Sequence, residues 1–180
     1  MRFNELPAVD SRIIGKYRDT PVKGGVKLVY VPTLGNTIKF GWCDGVIEEL
    51  ITSTTVPNTN TTYLLVGTIS SSPTRRAELW VNGSMENSMV PTIDAANSAA
   101  PIELFYDPTV PVLVPILAAK VAMAGLWGRP LTHSEIARLN TNPYVMWLGR
   151  DEPKSNAFGN LGLITGCHCP GYLRHWYGMA

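Results

Sequence analysis

The chain has 180 residues, enough for one domain with a sizeable apolar core and no need of disulfide staples. Apolar residues make up 45% and charged residues only 16%, and a formal net charge of +1 leaves no basic footprint for nucleic acid or anionic lipid. The opening "MRFNELPAVD" lacks the apolar segment of a secretory signal, no unbroken apolar run reaches the roughly 18 residues of a membrane span, and three cysteines, an odd number, argue against a disulfide framework.

In chain order the predicted elements are short strands. "SRIIGKYR" (11–18), "VKLVYV" (26–31), "TIKFGW" (37–42), "YLLVGTI" (63–69), "AELWVN" (77–82), "IELFY" (102–106) and "KVAMAGLW" (120–127) are rich in β-branched and aromatic residues. Turn chemistry separates them at Gly24-Gly25, Leu34-Gly35-Asn36, Ser71-Ser72-Pro73 and Asn82-Gly83. The Asn-Gly pair inside "ELWVNGSME" supplies the positive φ angles of a type I′ hairpin. Arg75-Arg76, set among Ser, Pro and Thr, reads as a solvated loop tip. Strands at this spacing, with no helices alternating between them, predict an antiparallel sandwich or barrel and exclude a doubly wound α/β fold.

Alternation along a strand assigns faces. In 77–82, Leu79 and Val81 share one face while Glu78, Trp80 and Asn82 share the other; in 120–127, Ala122, Ala124 and Leu126 oppose Met123, Gly125 and Trp127. Each strand thus sets a Trp opposite its aliphatic row. Such rings either pack under a loop or the small helix, or line an exposed platform on which sugars stack; Trp80 and Trp127, with Asn82 and Arg129 as polar neighbours, are the ligand-binding candidates.

A short helix follows. Thr132 and Glu135 are spaced as a capping box, Leu131 and Ile136 as a hydrophobic staple, and Ile136 with Leu139 forms a narrow apolar stripe. Asn140 is placed to end the helix in the left-handed conformation, and Pro143 forbids continuation. A helix this short is unstable alone, so it is expected to plug one opening of the sandwich.

Other constellations are weak. Retaining glycosidases need two carboxyls about 5 Å apart, whereas Glu48-Glu49 are adjacent and point to opposite faces of any strand. In "CHC", Cys167 and Cys169 lie closer together than zinc-ligand pairs usually do, with His175 the one further donor nearby and Cys43 far upstream. No Ser stands in a nucleophile elbow near a His.

"AELWVNG" (77–83), followed by "AGLWGRPLTHSEIARLNTNPY" (124–144), resembles the C-terminal half of laminin-G-like, concanavalin A-like jelly rolls. In that family an Asn-Gly hairpin precedes a last strand, a capped helix and an Asn-Pro-aromatic; Leu131, Glu135, Ile136, Leu139, Asn142, Pro143 and Tyr144 fall on the pattern. The resemblance implies an all-β antiparallel sandwich over residues 11–147 with one short C-terminal capping helix, flanked by an N-terminal arm (1–10) and a tail (148–180). Family members usually begin with further strands, so a missing first strand would leave an edge open. The tail, through Tyr172, Trp176 and Tyr177, or a neighbouring subunit is expected to cover it. Calcium enters by resemblance alone, with Asp44, Asp94 and Asp107 as candidate ligands; no cofactor is otherwise expected.

The expectation is therefore a protein that is not an enzyme. One reading is a virion decoration, collar or fibre component that contacts other subunits, either as a homo-oligomer or with capsid and tail proteins. It would be assembled in the cytoplasm without a signal peptide and end in the virion or on an extracellular surface. The alternative is a glycan- or receptor-binding module; a glycoside hydrolase relative is a distant third.

Overall fold

The computed structural model describes residues 1–18, 24–71, 73–97, 99–104 and 119–144. Within them the chain forms β1 (Arg2–Phe3), β2 (Ser11–Arg18), β3 (Gly24–Val31), β4 (Thr37–Cys43), β5 (Glu48–Thr52), β6 (Leu65–Ser70), β7 (Arg76–Val81), β8 (Ser84–Met89), β9 (Glu103–Leu104), β10 (Ala119–Lys120) and one helix, α1 (His133–Thr141). The strands make a five-stranded sheet in the order β5-β4-β3-β2-β9, a three-stranded sheet β6-β7-β8 and a pair β1-β10, antiparallel throughout. The all-β sandwich with a single short helix is thus the fold.

The core lies between the two larger sheets. Leu28, Phe40, Trp42 and Ile51 from one meet Ala77, Leu79 and Val81 from the other. Each large apolar side chain buried here contributes roughly 1.5–3 kcal/mol. The β2–β3 register slips between Arg12 and Ile14, so consecutive isoleucines, Ile13 and Ile14, both reach this core. Gly67 on β6 lies over Phe40; a Cβ there would sit 2.3 Å from the Phe40 ring, so glycine sets how closely the sheets approach.

A second cluster lies on the other face of the three-stranded sheet. Val66 and Trp80 pack there against Leu131, Ile136 and Leu139, as the alternation in β7 predicts. The hairpin turn has φ of 51° at Asn82 and 78° at Gly83, the conformation expected of Asn-Gly. The capping box is present: the Thr132 Oγ1 accepts from the Glu135 amide, and the Glu135 carboxylate accepts from the Thr132 amide at 2.8 Å. Arg129 donates to the same carboxylate at 2.8 Å. That pairing, with help from Thr132 and against partial burial, holds the Glu135 carboxyl at about 2, below its ordinary value of 4.5. A depressed folded-state value means that the stabilisation is full above pH ~4.5 and is lost as pH falls towards ~2. Thermal melts of wild type and Arg129→Ala are expected to differ at pH 6 and to converge near pH 2.

Several expectations need correction. The helix does not plug an opening between the sheets; it lies along β7 on the outer face, with His133 beside Glu78 and Asn140 beside Gly83. It runs past Asn140 to Thr141, and its cap, Asn142, is extended at φ −144°. Gly24 and Gly25 belong to β3. The strand expected at 120–127 is only two residues long, Ala119–Lys120, because only that stretch finds a partner, β1. The N-terminal arm, residues 1–10, contributes to the core: Phe3 is fully buried, and its ring packs 5.6 Å from Tyr30 and 6.3 Å from Tyr63. Arg75 is not a solvated tip, since it donates to the Thr92 carbonyl and pairs with Asp94 at 2.8 Å.

Candidate functional site

The two lateral sides of the sandwich differ. On one side β5 and β8, both sheet edges, run close together and side chains bridge them. The β7–β8 register skips Glu86, and the bulge sends its carboxylate across to the other sheet. There it accepts from the Thr54 amide at 2.8 Å, the Thr55 amide at 2.8 Å and both threonine hydroxyls. Partial burial opposes ionisation, but these donors outweigh it and hold the Glu86 carboxyl below its usual range. Asn87 adds a bond to the Thr52 carbonyl at 3.1 Å. Glu49 ties the chain after β8 to this edge, accepting from the Trp42 indole at 3.0 Å and the Thr92 amide at 3.1 Å.

On the other side β6 is an edge with no strand partner beyond β7 among the described residues. A cavity of about 540 Å³ lies along it, partly open. Its walls include Ile14 and Val26 of the five-stranded sheet, Leu65 and Ile69 of β6, Leu104 of β9, and Met123, Leu126 and Trp127 of the irregular segment that follows β10. Its charged side chains, and Thr68, are engaged within the chain. The Lys27 ammonium is 2.8 Å from Glu48, the Thr68 hydroxyl faces Glu78 at 3.5 Å, and the Arg129 guanidinium is on Glu135. Chemically the cavity suits apolar groups.

The predicted ligand residues do not form one platform. Trp80 is 7% exposed beneath α1, its indole donating to Glu78 at 2.9 Å and its ring 4.7 Å from that of His133, so it has no free face for stacking. Asn82 is exposed but accepts from the Leu64 amide at 2.9 Å, which holds the hairpin end. Trp127 and Arg129 border the cavity, while Leu131, Thr132, Glu135 and Ile136 anchor the helix as read from sequence. Tyr172, Trp176, Tyr177, Cys167, Cys169, His175 and Asp107 lie outside the described residues. Of the candidate calcium ligands, Asp44 accepts from the Val46 and Ile47 amides and Asp94 pairs with Arg75. Among the described residues no three His, Cys, Asp or Glu converge on a possible metal position.

Glu48 and Glu49 do project to opposite faces. Glu48 joins a polar array on the outer face of the five-stranded sheet, accepting from the Tyr17 hydroxyl at 2.8 Å beside Lys27, while Arg12 pairs with Glu103 at 3.0 Å. Sequence reasoning missed this array, the buried Glu78 with its partners Arg76 and His133, and the Glu86 bridge. The partners of Glu48, Glu86 and Glu103 lie far off in the chain, and Glu78 joins Arg76 of its own strand to His133 of the helix, a combination that no local motif marks.

No protein-family model matches the chain, and no curated protein does. Among solved structures it is similar to residues 221–444 of an S-layer domain-containing protein from Clostridium thermocellum, at 15% identity over 78% of this chain and 66% of that one, with a TM-score of 0.33. A superposition that loose carries no argument about function.

Proposed function

We propose that the chain is a non-enzymatic structural protein acting through protein–protein contacts, as a virion decoration, collar or fibre component, with the β6 side as its contact surface. One observation supports this reading above the others. The sandwich ties one lateral side shut with Glu86, Asn87 and Glu49, and on the other, among the described residues, β6 is an edge strand beside an apolar cavity. Edge strands with apolar surroundings are templates for strand addition, and proteins normally blunt or cover them. A near-neutral charge also favours contacts made by shape and apolar area over electrostatic steering. Cytoplasmic assembly and a final place in a virion or on an extracellular surface fit this reading, and no described helix is long and apolar enough to cross a membrane.

Sedimentation of the full chain over a wide concentration range tests the proposal. Concentration-dependent species larger than one chain are expected. A chain that stays monomeric and joins no particle would count against it.

Glycan binding remains a second reading because Trp127, half-buried, borders the cavity mouth with Arg129. It would be favoured by a glycan-array signal that Trp127→Ala removes while leaving the fold intact.

A further inference from the structure

The hairpin between β4 and β5 presents an apolar tip on a rigid base. Val46 is 86% exposed and Ile47 53%, in a chain that otherwise buries most of its β-branched strand residues. Asp44 Oδ1 accepts from the Val46 and Ile47 amides, each at 2.8 Å, the Asp44 amide donates to the Ile47 carbonyl at 3.2 Å, and Gly45 supplies a φ of 117°. These backbone bonds, Ile47 first, also hold the Asp44 carboxyl below its ordinary value, so the turn is set at neutral pH. Two β-branched side chains on a preset turn lose little freedom on docking.

The tip and the cavity are placed apart. The tip joins β4 to β5 at one end of the strand order, whereas the cavity is walled mainly by β2, β3, β9 and by β6, an edge strand among the described residues, with Phe40 the β4 residue that reaches it. Neither Val46 nor Ile47 lines the cavity of its own chain. A cavity of ~150 Å³ already holds a benzene-sized molecule, so about 540 Å³ has room for both side chains. With its charged neighbours engaged internally, the cavity asks for an apolar guest, and the tip is one.

We infer that the Val46–Ile47 tip of one chain docks into the β6-side cavity of a second copy. This rests on the assembly reading above and specifies its geometry. Because the two surfaces differ, the contact is heterologous, and head-to-tail repetition closes into a ring or runs on as a fibre.

Complementation by mass in solution tests it, with the full chain. A tip variant, Val46→Asp with Ile47→Asp, and a cavity variant, Leu126→Trp, are first shown by circular dichroism to fold like wild type. Wild type is expected to associate, and each variant alone to need at least about tenfold more protein to do so. An equimolar mixture should stop at a heterodimer, the intact cavity of one variant taking the intact tip of the other. Asp44→Ala should weaken association by an intermediate factor. A tip variant that assembles like wild type overturns the inference and leaves the assembly reading standing, whereas a wild-type chain that never associates, alone or on particles, overturns both. Photocross-links from position 46 that reach only the same chain's residues 105–118 or 145–180 would also overturn it.

Discussion

Gly67→Ala is expected to destabilise the sandwich by about 1–3 kcal/mol, the usual cost of forcing a methyl group against a packed side chain. The new Cβ would stand 2.3 Å from Phe40 Cδ2, 2.6 Å from Cγ and 2.7 Å from Cε2. The Phe40 ring leans on Trp42 at 5.6 Å and both are almost fully buried, so relief lies only towards the β6-side cavity that Phe40 and Gly67 line. Either the sheets separate locally or the ring leaves its rotamer. Denaturant midpoints measure the effect. Adding Phe40→Leu should recover part of it, so that the double variant costs less than the sum of the singles. A Gly67→Ala midpoint equal to wild type would mean that the sheets do not meet there.

Ile136→Ala should cost about 2–5 kcal/mol, but the loss should fall on one part of the molecule. Ile136 is fully buried, and with Leu139 and Leu131 it holds α1 over Val66 and Trp80. A nine-residue helix does not persist without such packing. Hydrogen exchange should show α1 losing protection well before β3 and β4, whose core lies on the far side of the three-stranded sheet. Quenching of Trp80 fluorescence, taken as the difference from a Trp80→Phe background, should rise in parallel. Leu79→Ala offers the contrast, because Leu79 faces the main core and its loss should lower the protection of both large sheets together. Uniform loss in both variants would contradict the division into two clusters.

Much of this fold was legible because its determinants are local. Alternation in β7 separates Leu79 from Trp80, Asn82-Gly83 dictates its turn, and Thr132 with Glu135 marks the start of the helix within four residues of sequence. What was not legible depends on partners far away in the chain. Residues 121–127 alternate like a strand, yet without a pairing partner beyond Lys120 they run irregularly. Trp80 could have been platform or core, and only the position of α1 over it decides. Glu86 looks like an ordinary polar residue after a hairpin, and its bulge and threonine partners emerge only when β8 meets β5. The cavity was invisible for the same reason, being a gap between elements that no sequence pattern joins.

Hydrogen exchange of the full chain at low and high concentration distinguishes the two sides of the sandwich. β6 and the segment 121–131 should gain protection as the protein associates, while residues 52–55 and β8 should be protected already in the dilute chain and change little. Protection gained at β5 and β8 instead, with β6 unchanged, would contradict β6 as the contact side.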